Sequence, residues 1–467
     1  MTDHIETDVL VVGGGPGGYV AAIRAGQLGL NTTLIEADKL GGTCLIRGCI
    51  PSKAIIHAAG EYESALAKVG RDGHLGIRFK AKPELDFSKT VAWKDGIVKR
   101  LNGGVAGLLK RAKVRVLEGW AEFSDAKTCT VKTAAGAVTV KAKSVILATG
   151  SQPVELPFLP FGGAILSSTE ALDLEAPPKR LAVIGAGYIG LELGIAMAKL
   201  GSEVTVVEAQ GRILPTYDAA LTAPVLKSLK RLGVTLHLGA SAQGYANGAL
   251  QARGPGGEAL AILADKVLVT VGRKPNTAGW GLERMGLEMA GPFLKVDQRC
   301  ATPMAGVYAI GDLVGEPMLA HKASAQGEMV AELLAGKRRS FQPAAIPAVC
   351  FTDPEIVTVG LSPEEAKATG RDIKTALFPL SANGRAMSLE ADGDDGFVRV
   401  VALAADHRIL GVQAVGKAVA ELSGEFTLAI EMGARLEDIA HTIHAHPTLS
   451  ESFHEASLRT LGHALHI

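Results

Sequence analysis

Two segments of the chain share one pattern, in which an apolar strand runs into a glycine-rich turn, a helix follows, and a second apolar strand ends on a glutamate. The first segment ends on Glu36 and the second on Glu208. The distance from the first glycine to the glutamate is the same in both, 36 − 13 = 23 and 208 − 185 = 23 residues. A single glycine motif is weak, but two copies at a matched distance from an acid predict two Rossmann-like dinucleotide-binding units. The glycines are Gly13, Gly15 and Gly18 in the first turn and Gly185, Gly187 and Gly190 in the second.

The second glutamate also indicates which nucleotide the second unit prefers. Such glycines let backbone N–H groups approach a pyrophosphate at a helix N-terminus, while the acid accepts hydrogen bonds from a ribose hydroxyl. Because a carboxylate repels a 2′-phosphate, Glu208 favours NAD over NADP. Arg212 could be read as a phosphate ligand, but it lies beyond the acid in the loop leading to Pro215.

The rest of the chain can be divided by its hydrophobic patterns. Short β-rich runs at 137–141 and 144–148, among others between Lys110 and Gly150, are expected to return to the first sheet. A segment rich in proline, Pro153 to Pro178, marks a boundary before the second unit. Met318 to Leu334 is typical of a helix, and alternating strands followed by helices come after position 347. The predicted fold class is α/β, with two Rossmann-like dinucleotide-binding domains and an α+β C-terminal domain.

Composition excludes several classes of function. Lys and Arg number 48, as do Asp and Glu, so the overall charge gives no reason to expect nucleic acid or a membrane surface as a partner. Residues 1–8 are polar and acidic, unlike a signal peptide, and no apolar run reaches the roughly 18 to 20 residues of a spanning helix. Five cysteines do not form a disulfide framework in a chain of 467 residues, so we expect a cytoplasmic protein.

Two of the five cysteines, Cys44 and Cys49, are the most informative residues in the sequence. On a regular helix they would point about 140° apart, so a disulfide between them requires a distorted helix start, which Gly48 and Pro51 allow. The spacing fits neither a CxxC redox motif nor paired zinc knuckles, and no metal site is predicted. A helix start lowers the pKa of a thiol, so a thiolate could form here beside an electron acceptor.

A lysine and a glutamate complete this candidate site. Lys53 follows Cys49 by four residues and shares its helix face, and Glu192, just after the second glycine turn, is the expected buried partner of Lys53. The other cysteines have no such context and are interpreted as buried thiols without a role. They are Cys129, Cys300 and Cys350.

These features, in this order, resemble the pyridine nucleotide-disulfide oxidoreductase family over essentially the whole chain. The resemblance implies an FAD-binding domain at 1–150, an NAD-binding domain at 151–273, a segment at 274–345 that returns to the FAD domain, and a dimerisation domain at 346–467. The motifs that carry it are Gly13 to Gly18, Cys44 to Lys53, Ala148 to Ser151, Gly185 to Glu192, Val271 to Pro275, Gly311-Asp312 and His444 to Glu451.

The resemblance also implies which residues hold the two cofactors. Tyr188 would act as a gate above the nicotinamide ring, although an aromatic residue there could equally be a packing residue. A helix N-terminus at 318–321 would face the flavin. The residues implied for FAD are Gly13, Gly15, Gly18, Glu36, Thr43, Lys53, Gly119, Thr149, Gly150, Ser151, Asp312, Met318, Leu319, Ala320 and His321. Those implied for NAD are Gly185, Gly187, Tyr188, Gly190, Glu192, Glu208 and Gly272.

A dithiol attacks only as a thiolate, so the reaction needs a base, and the base needs an acid that orients it. By resemblance the base is His446, directly before a proline, and its partner is Glu451, whereas His444 has no role. The family places this pair across a homodimer interface. Cys44 would react with the substrate and Cys49 with the flavin.

The implied substrate is dihydrolipoamide carried on a lipoyl domain, and the implied partner is a 2-oxoacid dehydrogenase core or the glycine cleavage system. A related flavin disulfide reductase with another dithiol or disulfide substrate is the alternative. Glutathione reductase is disfavoured by Glu208, since that enzyme prefers NADP. A subunit whose main task is docking to a multienzyme core is a further alternative.

Overall fold

The computed structural model describes residues 3–70, 74–391, 393 and 395–467. Residues 1 and 2 of the polar N-terminal stretch therefore lie outside the description. In chain order the strands are β1 (Asp3–Val12), β2 (Thr32–Glu36), β3 (Arg115–Glu118), β4 (Trp120–Phe123), β5 (Thr128–Thr133), β6 (Gly136–Leu147), β7 (Ser151–Pro153), β8 (Ile165–Leu166), β9 (Arg180–Ile184), β10 (Glu203–Glu208), β11 (Thr235–Leu238), β12 (Ser241–Ala246), β13 (Ala249–Arg253), β14 (Ala259–Leu263), β15 (Lys266–Val269), β16 (Arg273–Pro275), β17 (Met289–Ala290), β18 (Phe293–Leu294), β19 (Val307–Ala309), β20 (Ala348–Cys350), β21 (Glu355–Gly360), β22 (Ile373–Pro379), β23 (Phe397–Leu403) and β24 (Ile409–Gly416). The α-helices are α1 (Pro16–Gln27), α2 (Gly42–Arg47), α3 (Cys49–Leu66), α4 (Phe87–Arg111), α5 (Ser168–Ala171), α6 (Tyr188–Lys199), α7 (Ala219–Arg231), α8 (Ala320–Leu334), α9 (Pro363–Ala368), α10 (Gly384–Ser388), α11 (Ser423–Glu431), α12 (Leu436–His441) and α13 (Glu451–Leu461).

The first glycine turn follows β1, an inner strand of a seven-stranded sheet with the order β3-β2-β1-β6-β5-β4, in which β19 also pairs with β6. The pairs among β1, β2, β3, β6 and β19 are parallel, and those of β4 and β5 are antiparallel. Leu10 and Val12 of β1 pack on one face of the sheet, while Val9 and Val11 pack on the other face with α1. Both faces are covered, which explains why β1 is continuously apolar near its end.

One expectation for this sheet was wrong in detail. The sequence suggested separate runs at 137–141 and 144–148, but β6 is one strand of 12 residues. Its register against β1 is continuous from Asp3 opposite Val138 to Val12 opposite Leu147, so the partner strand keeps the whole segment extended. Between the two runs Ala142 is buried and Lys143 reaches the solvent, as the alternation of one continuous strand requires.

The second glycine turn follows β9 in a parallel sheet with the order β11-β10-β9-β15-β8. A three-stranded antiparallel sheet, β12-β13-β14, is inserted before β15 returns to the centre. The chain enters this unit through β7 and leaves it through β16, and these two short strands pair with each other in antiparallel register. The two connections between the dinucleotide units therefore run side by side. The predicted boundaries at 150, 273 and 345 stay predictions.

The C-terminal part forms an antiparallel sheet with the order β20-β21-β24-β23-β22. Helix α11 packs against β21 and β24, and α13 packs against β22 and β23. Sequence patterns predicted β21, β23 and β24 but not the edge strands β20 and β22. β20 has only three residues, and the residues of β22 show no regular alternation of buried and exposed positions. None of the helices in the described part of the chain is both long and apolar enough to span a membrane.

Candidate active site

A cavity of about 770 Å³ lies between the two dinucleotide units. It extends from Glu36, at the end of β2, past both members of the cysteine pair to Tyr188 at the start of α6. The predicted site residues in its wall are Gly13, Gly15, Glu36, Thr43, Cys44, Cys49, Lys53, Gly119, Thr149, Gly150, Ser151, Tyr188, Glu192, Asp312, Met318 and Ala320.

The two glutamates of the repeated pattern have the same local geometry. One oxygen of Glu36 accepts a hydrogen bond from the N–H of Gly14 at 2.6 Å, and the other accepts from the N–H two residues after the acid at 2.8 Å. Glu208 accepts from the N–H of Ala186 at 2.7 Å and again from the N–H two residues beyond it at 2.7 Å. Each carboxylate is thus fixed by its own glycine turn, and the sequence repeat is a structural repeat.

The glycines of these turns fall into two kinds. A Cβ on Gly18 would lie 1.8 Å from the carbonyl oxygen of Gly13, and one on Gly190 would lie 2.2 Å from that of Gly185. Gly13 and Gly185 themselves have φ values of 103° and 98°, which disfavour other residues. These four glycines are required by the close approach of helix and strand.

Gly15 and Gly187 are different, because the protein itself leaves space beside them. A Cβ on Gly15 would touch only a backbone atom 3.9 Å away, and one on Gly187 would meet nothing within 4 Å. Both residues are N-caps without a capping side chain, so the first N–H groups of α1 and α6 stay available. An uncapped helix start with open space in front of it fits the pyrophosphate of a dinucleotide.

The cysteine pair lies on two helices rather than one. Cys44 belongs to α2 and Cys49 begins α3, and the chain bends between them at Gly48, where φ is −142° and ψ is −108°. A Cβ on Gly48 would lie 2.8 Å from the carbonyl oxygen of Thr43, so a side chain is excluded there. The helix start is therefore distorted at the expected residue, and the bend brings the two thiols together.

The two thiols have opposite electrostatic properties. A hydrogen bond from the Cys44 thiol, helped by the nearby charge of Lys53, overcomes burial and lowers the pKa of Cys49 to about 7. The same hydrogen bond, together with burial, raises the pKa of Cys44 well above its ordinary value. In the dithiol form Cys49 is therefore the thiol that ionises first, and Cys44 keeps its proton.

Lys53 and Glu192 form the predicted ion pair, with 2.8 Å between Nζ and Oε2. Glu192 is buried, and its other oxygen accepts a hydrogen bond of 2.9 Å from the N–H of Phe351. The ammonium of Lys53 also lies 4.5 Å from the centre of the Phe351 ring. Sequence reasoning missed Phe351, which comes from the C-terminal domain and has no motif around it.

A second set of polar contacts joins the two units at the β7–β16 pair. Ser151 donates a hydrogen bond of 2.5 Å to Asp312, and Nε of Arg273 donates one of 2.8 Å to the Ser151 hydroxyl. Burial lowers the pKa of Arg273, while the charge of Asp312 opposes that effect. Arg273 lines the cavity but was not predicted, although it stands inside the motif Val271 to Pro275.

The remaining predicted cofactor residues lie outside the cavity wall, and their roles stay predictions. Helix α8 begins at Ala320, and Met318 and Ala320 bring its N-terminus to the cavity. The His321 ring is turned away, since its Nε2 lies 2.8 Å from the carbonyl oxygen of Pro347. The predicted cofactor residues outside the wall are Gly18, Gly185, Gly187, Gly190, Glu208, Gly272, Leu319 and His321.

Tyr188 lies in the cavity wall, and its side chain is 40% exposed, which favours a gate over a packing residue.

The predicted base, His446, and its partner Glu451 lie together in the C-terminal domain. Nδ1 of His446 lies 2.9 Å from Oε1 of Glu451, whose other oxygen accepts from the N–H of Thr448 at 2.8 Å. The His446 side chain is 79% exposed and lies outside the wall of its own chain's cavity. His444 is instead buried against Glu425 at 3.0 Å, a contact that raises the pKa of His444.

The other three cysteines are buried, as the sequence predicted. Burial raises the pKa of each of them to about 12, so all three are protonated near neutral pH. Buried protonated thiols are poor nucleophiles.

Two cysteines are brought together by a bend of the chain at Gly48, in a cavity between two units that each contain a glycine turn. These features define the class of disulfide oxidoreductases that bind two dinucleotides. Residues 7–327 match the family described as pyridine nucleotide-disulphide oxidoreductase, and residues 346–457 match its dimerisation domain. The chain belongs to this family, which uses FAD and NAD, and the predicted α/β fold class is confirmed. The match to the dimerisation domain supports a homodimer.

Curated relatives and solved structures agree with this assignment. The chain is 60% identical to a dihydrolipoyl dehydrogenase of Pseudomonas aeruginosa, over 100% of both chains. It is 47% identical to that of Geobacillus stearothermophilus, over 99% of this chain and 98% of the relative. Its fold is similar to LpdA from Mycobacterium tuberculosis, with a TM-score of 0.89 and 29% identity over 97% of this chain and 99% of the other. The HOCl-induced flavoprotein disulfide reductase RclA from Escherichia coli gives a TM-score of 0.84 and 25% identity, over 96% and 99%.

Proposed function

We propose that this enzyme oxidises dihydrolipoamide to lipoamide and reduces NAD, using FAD and the Cys44–Cys49 pair. The observation that carries the proposal is the dithiol with one lowered pKa, in a cavity lined by the first glycine turn and by the start of α6, the helix that follows the second turn. The curated relatives at 45 to 60% identity carry the name of this activity. Glu208 in the second turn supports NAD as the acceptor.

The residues present fit both cofactors. Gly15 and the uncapped start of α1 would hold the FAD pyrophosphate, with Glu36 at the adenosine ribose and Asp312 at the ribityl chain. Gly187 and Glu208 would hold NAD in the equivalent way. When bound, FAD takes up the electron pair of the dithiol and NAD accepts it as hydride.

The cysteines divide the dithiol half-reaction between them. A substrate thiolate attacks Sγ of Cys44 in the oxidised pair, the Cys44–Cys49 bond breaks, and Cys49 leaves as a thiolate. The second substrate thiolate then attacks the substrate sulfur of the mixed disulfide, so that lipoamide is released and Cys44 takes a proton. The product is a thiol at Cys44 and a thiolate at Cys49, which is the arrangement that the thiol pKa shifts favour.

The partner subunit's His446 is the base in this proposal. His446 is exposed on its own chain and paired with Glu451, so it is free to complete a site on a second copy. The imidazole removes the protons of the two substrate thiols, and the carboxylate orients the ring through Nδ1. A lipoyl domain of a 2-oxoacid dehydrogenase core would present the substrate, and the reaction would take place in the cytoplasm.

An NAD-linked assay tests the proposal, with dihydrolipoamide compared with glutathione and NAD compared with NADP. We expect turnover with dihydrolipoamide and NAD, and none with Cys49→Ser, which keeps the size of the side chain but cannot form the disulfide. Absence of a rate with dihydrolipoamide, or an equal rate with glutathione and NADP, would overturn the proposed substrate.

A further inference from the structure

The last residues of the chain fold back along α13. Gly462 caps the helix in the left-handed region, with φ of 98°, and the N–H of His463 bonds to the carbonyl oxygen of Leu458 at 3.1 Å. The reversed tail brings the His466 ring to Glu455, with 2.6 Å between Nδ1 and Oε1. The tail is therefore attached to the helix that begins with Glu451.

Glu455 takes no part in the proposed reaction, yet its burial is unusual for a carboxylate. The residue is 5% exposed, and its Oε2 is buried without a hydrogen-bond partner among the described residues. It follows Glu451 by four residues, so both carboxylates lie on the same face of α13. Two ionised carboxylates in this arrangement repel each other, and the His466 ring contacts the carboxylate of Glu455.

We propose that His466 is a positioning residue for the His446–Glu451 pair. Its contact with Glu455 offsets the negative charge of that carboxylate, which lies on the same face of α13 as Glu451. This inference rests on the proposed function, in which His446 is the base. Burial opposes ionisation of Glu451, but hydrogen bonds from Thr448 and His446 and the charge of His466 lower its pKa overall. His466 thus acts on the carboxylate that orients the base.

The neighbouring charged groups are engaged elsewhere. Glu425 accepts a hydrogen bond from the hydroxyl of Ser450, the residue before Glu451, and pairs with His444. Arg459, one turn beyond Glu455 on α13, donates a hydrogen bond of 2.7 Å to the carbonyl oxygen of Leu377. His466 is the imidazole that the structure places against Glu455.

The test compares His466→Gln with His463→Gln, a matched change in the same tail at a histidine that has no carboxylate partner among the described residues. In His466→Gln the unpaired charge of Glu455 stabilises the protonated form of the His446 ring. We expect kcat/KM for dihydrolipoamide to fall roughly two- to fivefold on the acid side of the pH profile, which moves to higher pH. Reduction of a dye by NADH should stay unchanged, and Glu455→Gln combined with His466→Gln should restore the profile.

A second measurement does not depend on the substrate. In protein labelled with ¹³C-histidine, the NMR titration midpoint of the His446 ring should move upward in His466→Gln but not in His463→Gln. Equal profiles and midpoints in the two variants, or an equal loss of both half-reactions, would overturn the inference. If the unaltered enzyme does not oxidise dihydrolipoamide but the midpoint moves, the proposed function fails and the role of His466 stands.

Discussion

The ammonium of Lys53 lies 2.8 Å from the carboxylate of Glu192, so one ion pair joins the helix of the redox cysteines to the helix that follows the second glycine turn. Glu192 is buried, whereas the Lys53 side chain is one-third exposed. The pair fixes the redox end of the cavity from both dinucleotide units. It also places a cation where it lowers the pKa of Cys49.

Replacing Lys53 by methionine should therefore slow the reaction of Cys49 with iodoacetamide in the reduced enzyme at pH 7. The thiol loses a stabilising cation, and Glu192 is left as an unpaired buried charge. Removing one partner of a fully buried ion pair costs about 3–5 kcal/mol, and because Lys53 is one-third exposed we expect the free energy of unfolding to fall by less, about 1–3 kcal/mol. Alkylation rates and urea unfolding measure the two effects. Lys89→Met, at an exposed lysine on α4, is the control, and equal behaviour of the two variants would contradict the role of the ion pair.

The hydrogen bond between the cysteines predicts a contrast between two substitutions of Cys44. Because that bond is the largest influence that lowers the Cys49 pKa to about 7, Cys44→Ser, which keeps a donor, should keep the alkylation midpoint near pH 7. Cys44→Ala removes the donor and should move the midpoint upward towards that of an ordinary thiol. The rate of alkylation between pH 5 and 10 gives both midpoints. The same midpoint in both variants would show that the donor is not the cause.

The two kinds of glycine predict different outcomes for alanine. Gly187→Ala should fold normally because nothing lies within 4 Å of the new Cβ, yet it should raise KM for NAD about tenfold or more by occupying the space of the pyrophosphate. Gly190→Ala should instead destabilise the protein, since its Cβ would lie 2.2 Å from a carbonyl oxygen. Thermal unfolding and NAD kinetics separate the two. A normal KM in a folded Gly187→Ala enzyme would argue against NAD binding at this turn.

A site shared between subunits predicts complementation. His446→Gln should lose dihydrolipoamide oxidation by about 100-fold or more while it retains dye reduction by NADH, because only the dithiol half needs the base. Co-expressed with Cys49→Ser, it should give heterodimers that combine intact cysteines from one chain with an intact histidine from the other. Activity of purified heterodimers, with one active site in two, is the expected result. Inactive heterodimers would place the base in the same chain as the cysteines.

Local spacing explains what could be predicted from the sequence. The glycine turns, the acids at the ends of β2 and β10, and the bend at Gly48 all depend on residues within about 25 positions of each other. Such features follow from backbone geometry and side-chain size, which a sequence displays directly.

Contacts between distant segments account for what was missed. Arg273 reaches Ser151 from 122 positions away, and Phe351 reaches Glu192 from 159 positions away. Neither contact has a periodic signal, since each depends on how two segments far apart in the sequence are placed. The joined strand β6 was missed for a related reason, because its continuity is imposed by β1 rather than by its own residues.

The strand β19 has a consequence for how the chain is made. It pairs with β6 in the first sheet although 159 residues, from 148 to 306, separate the two strands in the chain. The first sheet therefore cannot be completed on the ribosome until residue 309 has emerged, whereas the second parallel sheet is complete at Val269. During synthesis from the N-terminus the unit for the second dinucleotide can close before the unit for the first, so the order of completion is the reverse of the order in the sequence.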